Sequence, residues 1–242
     1  VHISEAREKL IVALDVDSAE QALKLVERLK PWAGLFKVGM ELFYSQGPVI
    51  INELRRRGVK LFLDLKLHDI PNTVARATRV LTRLGVAMFN VHAAGGRTMM
   101  RAALESCQEE SAKLGLSRPL VLAVTVLTSI DQLAFNQELG FSGPVADKVV
   151  AWALLARECG LDGVVASAHE AGAIRRLCGP DFIIVTPGIR PSGTAGGDQK
   201  RIVTPAVALA AGASHLVVGR PIIAAPDPAK AARFILDEMI AK

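Results

Sequence analysis

The sequence predicts a single-domain (β/α)8 TIM barrel spanning residues 1–242, on two observations. Short apolar, β-rich runs alternate with amphipathic helical segments from one end of the chain to the other, about eight times. No Pro/Ser-rich linker interrupts that alternation, and 242 residues, 50% of them hydrophobic, suit a barrel that typically uses about 250 residues as one domain.

The expected strands cover residues 10–16 (LIVALDV), 35–39 (LFKVG), 60–67 (KLFLDLKL) and 87–93 (AMFNVHA), followed by 120–127 (LVLAVTVL), 163–168 (GVVASA), 182–189 (FIIVTPGI) and 215–222 (HLVVGRPI). Continuous apolar strands joined by helices imply a parallel sheet covered on its outer face. The helical segments include SAEQALKLVERLK, PNTVARATRVLTRLG and GPVADKVVAWALLARECG, with apolar residues at 3.6-type spacing. Glycines at 58, 85, 160 and 179 stand where helices should stop. Before the last helix Asp227 can cap, and Pro228 suits the first turn.

Composition narrows the function. No apolar run reaches the roughly 18–20 residues needed to cross a bilayer, and VHISEAREKL does not read as a signal peptide. Cys107, Cys159 and Cys178 are odd in number and form no CxxC pair, so neither a disulfide framework nor a zinc site is expected, and a cytoplasmic protein is. The net charge of +5 would allow an anionic ligand or nucleic acid. The basic residues are scattered and aromatics are only 5%, so Arg55–Arg57 in ELRRRG read as a solvated helix end rather than a nucleic-acid patch.

LFLDLKLHDIPNTV (61–74) carries the chemistry. Leu61, Leu63, Leu65 and Leu67 alternate as in a strand, which puts Asp64 and Lys66 together on the other face, with side-chain bases roughly 7 Å apart. In this fold the active site lies at the C-terminal ends of the strands. There the sequence collects Asp15, Lys37, Asp64, Lys66, His92, Thr125, Thr128, Arg190 and Arg220. Burying a lysine is costly unless it is paired, and acids and bases alternating on three successive strands can satisfy one another.

Loops after the seventh and eighth strands of such barrels commonly bind phosphate. The long Gly-rich stretch 185–200 and VVGRPI (217–222) occupy those places, with Arg190, Gln199, Gly219 and Arg220 as candidate anion contacts and 190–200 as a lid. Gly193, Gly196 and Gly197 do not make a dinucleotide fingerprint, because no strand–GxGxxG–helix context surrounds them. His92 is expected to be a hydrogen-bonded structural residue, since no HxH or HExxH spacing accompanies it, and His68 to orient the loop beside Asp69.

DLKLHDIPNTV, with ALDV, FKVG, VTVLTS, PGIR and VVGRPI in that order, resembles the bacterial orotidine 5′-phosphate decarboxylase family from Leu10 to the final helix. The resemblance implies conversion of orotidine 5′-monophosphate to uridine 5′-monophosphate, the last step of de novo pyrimidine synthesis, with no metal or organic cofactor. It further implies a homodimer with shared active sites, and no nucleic-acid or membrane partner. By motif position Lys66 is the expected proton donor, in an array with Lys37 and Asp64 completed by Asp69 of a second subunit. Asp15 and Lys37 are expected at the ribose hydroxyls, Thr73 at the ribose or interface, and Thr128 and Ser129 at the pyrimidine. Arg190, Gln199, Gly219 and Arg220 are expected at the phosphate. Two other readings stay open: a Mg²⁺-dependent 3-keto-gulonate 6-phosphate decarboxylase of the same superfamily, and a catalytically silent phosphate- or RNA-binding barrel.

Overall fold

The computed structural model describes residues 2–192 and 203–240, so Gly193, Gly196, Gly197 and Gln199 lie outside the described residues. A helix, α1 (Ile3–Lys9), leads into β1 (Leu10–Ala13), after which come α2 (Ala19–Leu29), β2 (Leu35–Val38), α3 (Met40–Gln46) and α4 (Val49–Arg55). β3 (Lys60–Leu67), α5 (Pro71–Arg83), β4 (Met88–His92), α6 (Gly96–Leu114) and β5 (Leu120–Val124) follow. The second half comprises α7 (Gln132–Gln137), α8 (Val145–Glu158), β6 (Gly163–Val165), α9 (Ala168–Cys178), β7 (Ile183–Thr186), α10 (Pro205–Ala210), β8 (His215–Val218), α11 (Arg220–Ile223) and α12 (Pro228–Ile240). Each strand pairs in parallel with its sequence neighbour, and β8 closes on β1 to complete the expected barrel.

Strand alternation divides the apolar residues into two cores. Val12, Phe36, Leu63, Phe89, Val121, Val164, Ile184 and Leu216 face outward and pack beneath the helices. Ile11, Leu35, Phe62, Met88, Leu122, Val185 and Val217 face inward and fill the barrel. Both faces of the sheet are therefore dry, which is why the strands read as unbroken apolar runs. At Gly163 the barrel wall tolerates no side chain: a Cβ there would stand 2.1 Å from the Ile183 carbonyl oxygen.

Local signals account for the helix boundaries. Ser18 caps α2 by accepting the Gln21 N–H, and Asp227 Oδ1 accepts the N–H groups of Ala229 and Lys230 ahead of α12. Gly85 and Gly160, read as helix stops, take left-handed φ values of 65° and 83°. α4 ends at Arg55, and Arg56 and Arg57 hydrogen-bond Glu53 one turn back, as a solvated helix end should. Among the described residues no helix is long and apolar enough to cross a membrane, and all three cysteines are buried and unpaired with one another.

The structure corrects the strand ends. Five of the eight strands leave the hydrogen-bonded ladder three or four residues earlier than their apolar runs suggest, because burial continues past the ladder: Val126, Ala166 and Ile189 remain buried beyond β5, β6 and β7. GRPI is not a strand continuation but the start of α11. Gly219 turns out of the ladder with φ −109° and ψ −106°, and Pro221, lacking an N–H, suits a first helical turn.

His215, at the foot of β8, has a buried Nδ1 with no hydrogen-bond partner among the described residues. Burial first, then Lys9 and Lys60, push its pKa down to about 4, against a smaller opposing effect of Glu8. The unfolded chain, with an ordinary histidine near pH ~6.5, binds the proton first. Stability from the neutral ring is thus complete above that value and is lost as pH falls toward the folded pKa. Urea midpoints measured through this interval should fall more steeply for the native chain than for His215→Leu; parallel curves would remove His215 from the effect.

Candidate active site

The inward side-chain row that fills the barrel with Ile11, Leu35, Phe62 and Met88 continues toward the C-terminal ends of the strands as polar residues. Two steps on from Ala13 is Asp15; Lys37 follows Leu35, Asp64 and Lys66 follow Phe62, and Asn90 and His92 follow Met88. Lys37 Nζ donates to Asp15 Oδ1 at 2.9 Å and lies 3.4 Å from Asp64 Oδ2. Lys66 Nζ donates to Asp64 Oδ1 at 2.7 Å. The side chains of Lys37 and Asp64 are only 12% and 14% exposed.

At such burial the charges survive by mutual support. Burial works against the Lys37 ammonium, yet Asp64 and Asp15 outweigh it and hold its pKa above the usual lysine range. Burial also works against charge on Asp64; Lys37, Lys66 and the Asn90 amide outweigh it and hold the carboxyl below its usual range. Asp64 is therefore a carboxylate, and Lys37 an ammonium, across neutral pH.

β3 is irregular where it carries these residues. Leu63 pairs with Phe89, but the next paired residues are Leu67 and Val91, so β3 advances four residues while β4 advances two. Lys66 sits on the resulting bulge with φ 52°, the only non-glycine positive φ among the described residues. A left-handed conformation costs an L-residue roughly 1–2 kcal/mol. Asn90, fully buried on β4, offsets this by accepting the Lys66 N–H at Oδ1 (2.8 Å) and donating from Nδ2 to Asp64 Oδ1 (2.7 Å). Leu65 and Leu67 still pack outward, so the alternation expected from the sequence survives the bulge. In the sequence Asn90 is marked only as an amide between inward-facing Met88 and His92 in AMFNVHA.

A cavity of about 280 Å³ opens above this array, within reach of the size of small-molecule sites. Asp15, Lys37, Asp64 and Lys66 line one side, and Phe62, Val124, Val165 and Val217 contribute apolar surface. Thr128, Ser129, Arg190, Gly219 and Arg220 line it too, so nine of the residues expected at the site from sequence meet here. At Gly219 a Cβ would come 3.3 Å from Asp15 Oδ2, a close contact to which that carboxylate would have to yield.

Other expected residues lie elsewhere. Asp69 and Thr73 are exposed and do not line the cavity of this one chain; Asp69 Oδ1 accepts the N–H of Ile70. Thr125 is also outside it: its hydroxyl donates to the Val165 carbonyl and stitches β5 to β6. His92 is a structural residue as expected, its Nδ1 accepting the Ala94 N–H, while burial, His68 and Lys66 push its pKa to about 4. His68 stacks on the His92 ring at 5.2 Å between centroids, and Trp152 meets His92 edge-on. Among the described residues no three His, Cys, Asp or Glu side chains gather where they could hold a metal ion.

Comparison with known proteins gives this geometry its relatives. The profile of the orotidine 5′-phosphate decarboxylase / HUMPS family matches residues 8–235. An orotidine 5′-phosphate decarboxylase of Moorella thermoacetica is 57% identical over 234 residues, covering 97% of this chain and 93% of its own. The crystal structure of orotidine 5′-phosphate decarboxylase from Lactobacillus acidophilus superposes with a TM-score of 0.84 at 42% identity, covering 96% of this chain and 99% of its own. That of the Pyrococcus horikoshii enzyme gives 0.76 at 28% identity, covering 96% of this chain and all of its own. Profile, sequence and fold agree over nearly the whole length, and the chain belongs to the orotidine 5′-phosphate decarboxylase / HUMPS family.

Proposed function

We propose that this protein decarboxylates orotidine 5′-monophosphate to uridine 5′-monophosphate in pyrimidine synthesis, without metal or organic cofactor and with Lys66 as proton donor. The observation that carries the reading is the Lys66 ammonium, held 2.7 Å from the part-buried Asp64 carboxylate at the wall of the cavity. The C6–carboxylate bond breaks, CO₂ departs, and the electron pair remains on C6 in the plane of the ring, where no π system can take it. A fixed ammonium stabilises that charge as it develops and then passes a proton from Nζ to C6; the lysine is reprotonated from solvent. Asp64 and Lys37 hold the ammonium's place, so little reorganisation is needed during the reaction.

The remaining roles are assigned by motif position, as the family resemblance implies. Asp15 and Lys37 take the ribose hydroxyls, Thr128 and Ser129 the pyrimidine edge. Arg190, Gly219 and Arg220, with Gln199 of the neighbouring loop, take the phosphate dianion; an arginine can grip it through two parallel hydrogen bonds. Asp69 and Thr73 serve the site of a second copy in a homodimer. That assignment is supported by their exposure outside this chain's own cavity and by Ile70, an apolar side chain 66% exposed beside them. The two carboxylates of the mouth, Asp15 and Asp64, already face ammonium groups, which favours a reaction run by cationic side chains.

Lys66→Ala should keep its fold by circular dichroism and lose nearly all turnover of orotidine 5′-monophosphate, followed by pyrimidine absorbance. Loss of a group that stabilises transition-state charge typically costs about 3–4 kcal/mol, and here the proton donor goes as well. Turnover by the native chain should persist in EDTA. Failure to convert the substrate, or full activity in uncontaminated Lys66→Ala, would overturn the reading.

The dimer is tested by mixing inactive Lys66→Ala and Asp69→Ala chains. If Asp69 acts across the interface, half of the sites in a hybrid dimer carry both lesions and half carry neither, so activity should return as subunits exchange. Exchange confirmed by labelled chains, with activity still at the parental level, would place both residues in one chain's site.

A further inference from the structure

We propose that Asn90 is a positioning residue for the decarboxylation. It locks the Lys66 backbone in its left-handed turn and fixes the Asp64 carboxylate against the ammonium; the proposal rests on the assignment of Lys66 as proton donor. The hydrogen bonds form a closed circuit. Asn90 Oδ1 accepts from Lys66 N, Asn90 Nδ2 donates to Asp64 Oδ1, and Asp64 Oδ1 accepts from Lys66 Nζ. Both ends of one lysine, its backbone amide and its ammonium, are therefore tied through the same amide–carboxylate pair.

The bulge explains why a side chain is needed here. Between Leu63 and Leu67 the β3–β4 ladder loses register, and the Lys66 N–H is satisfied by the Asn90 side chain. With φ at 52°, that backbone would relax toward an extended conformation if nothing held it, and the side chain would swing with it. The chemistry of the position is equally narrow. It calls for one acceptor toward Lys66 N and one donor toward Asp64, at the short reach of a side chain with no exposed surface. An amide supplies both. An ionised carboxyl would supply two acceptors and press a second negative charge on Asp64, whereas a protonated carboxyl again offers one acceptor and one donor.

The test compares native protein with Asn90→Ala, Asn90→Asp and Asn90→Ser, using orotidine 5′-monophosphate for turnover and uridine 5′-monophosphate for binding. A displacement of about 1 Å in a reacting group can cost on the order of 100-fold, and a kcat loss of about that size is expected for Asn90→Ala. Affinity for uridine 5′-monophosphate, which does not depend on proton transfer, should stay near the native value. Asn90→Asp should regain turnover relative to Asn90→Ala as pH is lowered, because a buried carboxyl beside Asp64 is protonated more readily than usual and then copies the amide. Hydrogen exchange at the Lys66 amide should be faster in Asn90→Ala, a readout independent of activity.

Native-like kcat in Asn90→Ala would overturn the proposal, as would unchanged exchange at Lys66. So would kcat and uridine 5′-monophosphate affinity falling together, the mark of a purely structural role. A pH-independent ratio of Asn90→Asp to Asn90→Ala turnover would overturn it as well. If Asn90→Ala does not fold, Asn90→Ser, whose shorter hydroxyl cannot span both partners, stands in the same comparisons. Lys66→Ala run in parallel separates the two readings: retained activity there refutes the proton-donor assignment, whereas the exchange result at Lys66 bears on Asn90 alone.

Discussion

Asp64 is a carboxylate held inside the mouth of an apolar barrel, and the rest of the site is arranged around keeping it charged. It receives Lys66 and Asn90 on one oxygen and lies beside Lys37 on the other. Removing an ion pair from water costs several kcal/mol per ion before its geometry gives anything back. Its partners on β2, β3 and β4 stand on rigid, closed strands, so little ordering is required at the moment the charges are used. Lys37 depends on the same carboxylate for its own burial, and Lys66 depends on it for direction.

The local structure around Asp64 departs from ideal barrel geometry in a way that fits this constraint. A regular β3 would carry Lys66 onward in register with β4 and leave its side chain at a fixed two-residue step from Asp64. The bulge and the left-handed turn at Lys66 bring the ammonium back to 2.7 Å from the Asp64 carboxylate. Strain of this kind persists only where its surroundings over-determine it, and Asn90 supplies that determination from the neighbouring strand. Phe62, Val124, Val165 and Val217 make much of the remaining cavity surface apolar, which strengthens every charge–charge and charge–dipole interaction above them.

Much of this was legible in the sequence because alternation is a strict rule. Leucines at 61, 63, 65 and 67 left no place for Asp64 and Lys66 except the inner face, and the same parity put Lys37 and Asp15 beside them. What the sequence did not reveal has physical causes. Apolar runs report burial, and burial outlasts the ladder, so the runs extend past the strand ends. The apolar content of GRPI resembles a strand, whereas Pro221 and the Gly219 turn start a helix. Thr125 lies near a strand end, which suggests the mouth, yet its hydroxyl is spent on the Val165 carbonyl outside the cavity. Asn90 escaped because a single amide inside an apolar strand carries no spacing; its significance lies in a bulge on another strand. Asp69 and Thr73 stand outside this chain's cavity, as residues proposed to serve a second copy would.

The distribution of charge ties the cavity to the composition of the whole chain. The net charge of +5 suggested an anionic partner without saying where it binds. Among the described residues lining the cavity there are four cations, Lys37, Lys66, Arg190 and Arg220, against two carboxylates, Asp15 and Asp64, a surplus of two positive charges. Outside it, many charged residues are paired with one another, as Arg56 is with Glu53, Arg118 with Asp162 and Arg97 with Glu158. The surplus is divided: the lysines are bound into the array with both carboxylates, while the two arginines lie on the edges formed after β7 and β8. That division suits a ligand with a phosphate dianion at one end and a reacting carboxylate at the other. Under the proposed function, binding energy gathered at the arginine end would hold the distant ring against Lys66 and so lower the barrier to the chemical step.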